Sequence, residues 1–138
     1  MKNFETKILT PDGPVFNGLA ASVNVPGTEG NFQILSDHAS LMSALEPGEI
    51  RVNQTEGTGE VRFSVSVGFV EVNDNNVTIL AEAAERVENI DVERAQKALD
   101  RAKERIQAAV NNSEIDVLRA EAALQRAQNR IQLARRSN

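Results

Sequence analysis

Cysteine, tryptophan and tyrosine are absent from this chain, aromatic residues of any kind make up 4% of it, and it holds one histidine. Without cysteine there is no disulfide framework, no thiol nucleophile and no thiolate-bound metal; with His38 alone there is no histidine-rich metal cluster. Most metal-centred and cysteine-dependent enzymes are thereby excluded. Glycine and proline do not occur between Phe69 and Asn138. No apolar run approaches the roughly 18–20 residues of a membrane-spanning helix. The start, Met1 to Thr10, is too polar and too alternating for a signal peptide, so the chain is expected to fold in the cytoplasm or an equivalent compartment. The phosphate-cradling pattern G-x-x-x-x-G-K-S/T is missing as well, since Gly27 to Gly30 lacks the lysine that would follow.

What is present suffices for one ordinary domain or two small ones: 138 residues, 41% apolar and 25% charged. A net charge of −5 argues against a dedicated nucleic-acid binder, which needs surplus lysine and arginine. That charge is unevenly spread. Residues 1–81 carry 10 acidic and 4 basic side chains, residues 82–138 carry 10 and 11, and from Ile115 onward the count is 2 against 5. Such halves suggest two modules, divided here as 1–85 and 86–138, the second with a basic tip suited to an anionic partner.

The first module has period two. In "EVRFSVSV", Val61, Phe63, Val65 and Val67 alternate with Arg62, Ser64 and Ser66, the pattern of a half-buried strand. "ASVNVP", "GEIRV" and "NVTIL" repeat it in shorter form, and "TPDGP", "PGTEG", "EPGE", "EGTG" and "NDNN" are turn formers between them. Many short strands at this spacing predict a β-sandwich or flattened barrel. Phe32, Phe63 and Phe69 are the natural core aromatics. Gly68 breaks the longest run and marks a bulge or a close backbone approach.

Beyond Glu82 the period is helical, and the chain repeats itself. "IDVERAQKALDRAKERIQ" at 90–107 returns as "IDVLRAEAALQRAQNRIQ" at 115–132 with 12 of 18 positions unchanged. Asp91 is the expected N-cap of a first helix, with Ile90 forming a hydrophobic staple towards Ala95; Ser113 is expected to cap a second, with Asp116 in its first turn. "AAVNNSE" is the intervening turn, and a connection this short packs the helices antiparallel. Ala95, Leu99, Ala102, Ile106 and Ala109 form one seam; Ala120, Leu124, Ala127, Ile131 and Ala134 form the other. An alanine seam buries little apolar area, while Ala, Arg, Gln, Glu, Lys and Leu are strong helix formers. Stable helices with weak docking suggest a conformational switch, against the plainer reading of a static hairpin.

Strands first and an Ala/Arg helix pair last is an order that resembles the epsilon subunits of the F-type ATP synthases, of bacterial type. "TPDGPVF" at 10–16, "GNFQILSDHASLMSAL" at 30–45, "SVGFVEV" at 66–72, "VTILAEAAE" at 77–85 and "IDVERA" at 90–95 are similar to that family's motifs, in the family's order. One departure is Asp37 before His38, where relatives often carry glycine. The resemblance implies a non-catalytic central-stalk subunit of a proton-translocating synthase. Its sandwich would sit against the gamma subunit and the c-subunit ring, with Glu29, Gly30 and His38 as candidate contacts. Its helices would either fold up or extend into the alpha/beta head and block ATP hydrolysis, Arg119, Arg126, Arg130, Arg135 and Arg136 meeting an acidic loop of beta. It further implies ATP as a regulatory ligand of the folded hairpin, with no required cofactor. The motif "IDVERA", carried over by the resemblance together with distant arginines, makes Glu85, Ile90, Asp91, Arg94, Ala95, Arg101, Arg126 and Arg130 the candidates, and arginine forks can make charge-assisted bonds to phosphate. The location implied is the cytoplasmic face of a bacterial plasma membrane, or else a thylakoid, with no nucleic acid among the partners.

Other readings stand beside this one. Arginines next to an alanine seam can simply pair with Glu and Asp one turn away, as Asp100 and Glu104 allow. "IDV.RA" also occurs at 115–120, where it repeats a helix start. His38 beside Asp37 has no nucleophile motif to serve. The alternative for the whole chain is a non-catalytic β-sandwich ligand-binding or adaptor module with a static hairpin.

Overall fold

A computed structural model describes residues 3–54 and 59–136. It divides into two compact units, Met1–Arg86 and Val87–Asn138. The described part of the first holds ten strands, β1 (Phe4–Thr10), β2 (Gly13–Ala20), β3 (Ser22–Gly27), β4 (Gly30–Leu35), β5 (Leu41–Leu45), β6 (Gly48–Asn53), β7 (Glu60–Val65), β8 (Gly68–Asn73), β9 (Asn76–Ala81) and β10 (Ala84–Arg86). They run in the order β10-β7-β6-β3-β5-β8-β9-β1-β2, with β4 also on β3. Among the described residues, only the pairing of β1 with β9 is parallel. Most of the "EGTG" turn falls at 55–58, outside the described residues.

This sheet folds over on itself. Phe16 of β2 and Phe63 of β7 pack edge to face with ring centroids 5.7 Å apart. In a flat sheet those strands would lie seven spacings apart, roughly 34 Å. The fold line is β3 to β5, joined by the single pair Gly27 and Leu45. Between the layers lie Ile8, Val23, Ile34, Ile50, Val52, Phe63, Val70 and Ile79, all fully buried. The β-sandwich expected from the period-two pattern is what forms.

Two local expectations are corrected. The run "EVRFSVSV" is not one strand with alternating faces, since β7 ends at Val65, Val67 is 45% exposed, and Ser64 and Ser66 are buried. The chain bends at Val67, and Ser66 beside it is anchored to Ala83, its hydroxyl accepting from the Ala83 N–H at 2.9 Å. Phe69 is then not a core residue: β8 turns Val70 and Val72 inward and leaves Phe69 55% exposed. Phe63 is buried and Phe32 packs against the core, as expected. Gly68 stands where a Cβ would meet the Leu80 carbonyl oxygen at 2.1 Å, a close backbone approach that no other residue fits.

The second unit opens with a 3-10 turn, Val87–Asn89, and continues as α1 (Val92–Ala109) and α2 (Val117–Arg136). Asp91 caps α1, its Oδ1 accepting from the Arg94 N–H at 3.1 Å. The cap of α2 is Asp116 rather than Ser113, since Asp116 Oδ1 accepts from the Arg119 N–H at 3.1 Å. Both copies of the repeat therefore begin with the same device. Asn112, whose Oδ1 accepts from the Glu114 N–H, shapes the turn before it. All ten seam residues are buried or half-buried. Val87 and Ile90 cluster with Leu133 and Ala134, which sets the start of α1 beside the end of α2 and makes the hairpin antiparallel.

Candidate partner-binding surfaces

Three surfaces carry the candidate residues. On the hairpin, the motif "IDVERA" is largely consumed in building the helix start. Ile90 is buried in the cluster with Leu133, Asp91 is the cap, and Ala95 is fully buried in the seam. Glu93 and Arg94 are left as its exposed charged side chains beyond the cap. Both helices rise about 1.5 Å per residue. Counting inward from Ile90 and Ala134 therefore puts Arg94 level with Arg130, and Arg101 within one turn of the level of Arg126. Arg94, Arg101 and Arg126 are exposed and Arg130 is half-buried. Glu85, the remaining nucleotide candidate, lies on β10 of the first unit, opposite Ser64 of β7.

The arginines of the basic C-terminal segment all lie on α2. Arg119 is in the first turn of α2, while Arg135 and Arg136 end it, beside the Ile90 base of the hairpin. The turn between the helices carries Glu114 and Asp116 instead. Thus the basic residues run along the length of α2, and the two at its C-terminus complement the helix dipole. Around α1 the side chains Lys97 and Glu93 pair at 3.7 Å, and Gln96 donates to Asp100 at 3.2 Å, one-turn pairs that use a lysine and a glutamine.

On the sandwich, the expected contacts are split between two ends. Thr28 and Glu29 form the turn closed by the pair Gly27 and Gly30, and the Thr28 N–H donates to the Ala44 carbonyl at 3.1 Å. His38 belongs to the turn before Leu41, the other end of β5. Its Nδ1 lies 2.8 Å from the Ala39 carbonyl, which uses that nitrogen as a donor. Asp37 there has φ 63°, the left-handed conformation that glycine favours. It is held by Asn75, which accepts from the Asp37 N–H at 2.6 Å and donates to its Oδ1 at 2.9 Å. An aspartate with a bonded carboxylate thus fills a place suited to glycine. The structure does not bring Glu29 and Gly30 together with His38.

The surface that sequence reasoning missed lies on the outer face of β5-β8-β9-β1. Ala44, Phe69, Leu80 and Leu9 face one another across four strands in a single row. With Pro11, Val67 and Gly68 they line a groove of about 640 Å³. Phe69 and Leu80 are each more than half exposed. The next row, Met42, Glu71, Thr78 and Lys7, is mostly polar. The signal was in "GFVEVN": Phe69 shares a face with Glu71, and a face mixing Phe with Glu is the outer one.

Two family models account for nearly the whole chain: the β-sandwich domain of the ATP synthase delta/epsilon chain matches residues 3–87, and its long α-helix domain matches residues 88–135. The ATP synthase epsilon chain of Nitratidesulfovibrio vulgaris (strain DP4) is 45% identical over 105 residues, 76% of this chain and 77% of the relative. That of Anoxybacillus flavithermus is 42% identical over 108 residues, 78% and 79% of the two chains. Among solved structures, a chain of the Euglena gracilis mitochondrial ATP synthase (OSCP/F1/c-ring, rotational state 1) superposes with a TM-score of 0.77 at 26% identity, covering 92% of this chain and 78% of that one. A chain from the central stalk and c-ring of the Tetrahymena thermophila mitochondrial enzyme shares the fold, with a TM-score of 0.62 at 17% identity over 99% and 96% of the chains.

Proposed function

Since this chain belongs to the ATP synthase delta/epsilon family, as a non-catalytic epsilon subunit in the central stalk of an F-type ATP synthase, we propose that its two units divide the work, the sandwich holding it to the rotor and the hairpin governing hydrolysis. The observation that carries the first half is the groove of Leu9, Phe69 and Leu80, an exposed apolar row beside a mostly polar one. Exposed apolar area of this kind marks a partner surface. It takes the gamma subunit. The Glu29 and Gly30 turn, tied to the Ala44 end of that row, reaches the c ring, and the His38 turn at the far end of β5 extends the gamma contact. Two partners at two ends agree with the separation of these turns. The complex is thereby attached peripherally, at the cytoplasmic face of a bacterial plasma membrane.

Burying a half-exposed Phe or Leu contributes on the order of 1 kcal/mol, and placing a carboxylate there costs more. Phe69→Glu and Leu80→Glu therefore weaken binding to an ATPase core containing gamma by about tenfold or more, whereas Glu71→Ala on the polar row leaves it unchanged. Equal binding of all three variants would remove the groove from the interface.

The hairpin acts through its arginines. Folded, it holds ATP with Arg94, Arg101, Arg126 and Arg130; opened, it lays Arg119, Arg126, Arg130, Arg135 and Arg136 against an acidic loop of beta and stops hydrolysis. The level pairing of Arg94 with Arg130 supports the first arrangement, and the exposed basic length of α2 supports the second. Because ATP binds only the closed form, it raises hairpin stability by about 2.7 kcal/mol at a hundredfold excess over Kd. Titration calorimetry should lose its signal in Arg126→Ala and Arg130→Ala; a full signal there would dismiss the site.

A further inference from the structure

We propose that Asn75 is a positioning residue, clasping Asp37 so that the turn carrying His38 stands ready for the stalk partner; this rests on the assignment of that turn to the rotor contact. Two turns 38 residues apart in the chain meet here. In the first, the Leu35 carbonyl accepts from the His38 N–H at 3.3 Å, and the third residue, Asp37, has φ 63°. In the second, Asp74 and Asn75 join β8 to β9 with φ 48° and 60°. A two-residue hairpin with both φ positive favours glycine at its second position, and a four-residue turn with positive φ at its third residue favours glycine or asparagine there. Both places hold a residue with a side chain, and these two side chains make the connection. Asn75 Oδ1 accepts from the Asp37 N–H at 2.6 Å, while Asn75 Nδ2 donates to Asp37 Oδ1 at 2.9 Å.

Local chemistry alone does not favour this arrangement. Left-handed backbone is unfavourable at a residue other than glycine, and beside Asp37 the Ser36 hydroxyl is buried with no hydrogen-bond partner among the described residues. Strain of this kind persists only where the surroundings over-determine it, and it collects at ligand clamps and other working sites. Asn75 supplies the determination. It is fixed by its own hairpin, and its carbonyl accepts from the Glu5 N–H at 3.3 Å where β1 begins. One residue thereby ties the connection between β4 and β5 to β8, β9 and β1. What it holds in place is a half-buried His38 between Leu35, at the end of β4, and Met42, in β5, each of which is more than half exposed. A turn fixed in advance binds without the ordering that a free one must undergo. Glycine at either position would suit the backbone better and lose the clasp.

Asp37→Gly and Asn75→Gly therefore separate the fold from the clasp. Both should move the urea midpoint of the full chain little, because relief of left-handed strain offsets the freedom that glycine returns to the unfolded chain. Their affinity for an ATPase core lacking this subunit should nevertheless fall about tenfold, the ordering of a freed turn then opposing binding. Hydrogen exchange reports the clasp directly: the Asp37 amide should exchange at least about tenfold faster in Asn75→Gly than in the native chain. Asn75→Asp sets two carboxylates against each other and should weaken binding likewise. Adding Asp37→Asn to it restores both hydrogen bonds, the second with donor and acceptor exchanged, and should return affinity to within about twofold of native. Phe69→Glu is the control on the rotor contact itself. If it weakens binding while both glycine variants and Asn75→Asp bind as the native chain does, attachment through the groove stands and the clasp is overturned. A double variant as weak as Asn75→Asp overturns it too. Failure of the native chain to bind the core removes the rotor contact and the clasp together.

Discussion

Single residues show where energy is left unspent or locally tied up. Thr6 is fully buried in β1, and its hydroxyl meets no hydrogen-bonding partner among the described residues. A buried, unsatisfied hydroxyl costs about 1–3 kcal/mol, and valine has the same shape without it. Thr6→Val should therefore raise stability by about 1 kcal/mol, read as a higher urea midpoint at unchanged slope; a lower midpoint would mean that the hydroxyl is bonded. On the opposite layer Glu49 accepts from both Arg51 and Arg62. The hydrogen bond and charge of Glu49 raise the Arg51 guanidinium above its ordinary value. A raised cation stabilises fully below its unfolded pKa and loses that contribution only as pH climbs through the folded one, which is far into the alkaline range. The cost of Arg51→Met should accordingly be the same at about pH 6 and about pH 9, in paired denaturation curves.

Elements were legible wherever local chemistry decides them. Period two gave the strands, the repeat gave the helices and both seams, and Asp91 was a cap in sequence as in structure. Two things were not legible. Apolar positions keep their spacing of two on both sides of Gly68 in "VRFSVSVGF", yet the bend beside Ser66 and Ala83 flips the parity between β7 and β8, which turned Phe69 from an expected core residue into the centre of the groove. The hydrogen bond between those two joins residues 17 apart, beyond any local pattern. The second cap was misplaced because Ser113 and Asp116 are both good caps, and only the position of the first seam residue, Ala120, chooses between them. Asp116→Ala should thus lower hairpin stability by about 1 kcal/mol, matching Asp91→Ala, while Ser113→Ala stays within about 0.5 kcal/mol; helical circular dichroism against denaturant separates them.

The candidate site belongs to the scale of the whole chain, and less of it could be read in advance, because arginines named from a motif gain meaning only when antiparallel packing sets their levels. Arg94 and Arg130 are set at one level by that packing, whereas Glu29 and His38 are parted by the length of β5. The same division of labour yields the prediction that tests most of the reading at once. Residues up to Arg86 form a compact unit with their own apolar core, and the groove lies wholly within it. A chain ending at Arg86 should therefore fold, bind an ATPase core that lacks this subunit, and leave hydrolysis unrestrained. The full chain should bind through the same groove with similar affinity and slow hydrolysis. Adding Arg126→Ala, Arg130→Ala and Arg135→Ala to the full chain should preserve binding and release the brake, since the arginines of α2 are exposed or half-exposed along its length and lie outside the groove. If the truncated chain inhibits as well as the full one, the brake resides in the sandwich and the hairpin's arginines serve the nucleotide alone. If neither inhibits while both bind, the opening of the hairpin serves sensing rather than inhibition, because attachment and regulation would then have been separated experimentally along the boundary at which the chain itself divides.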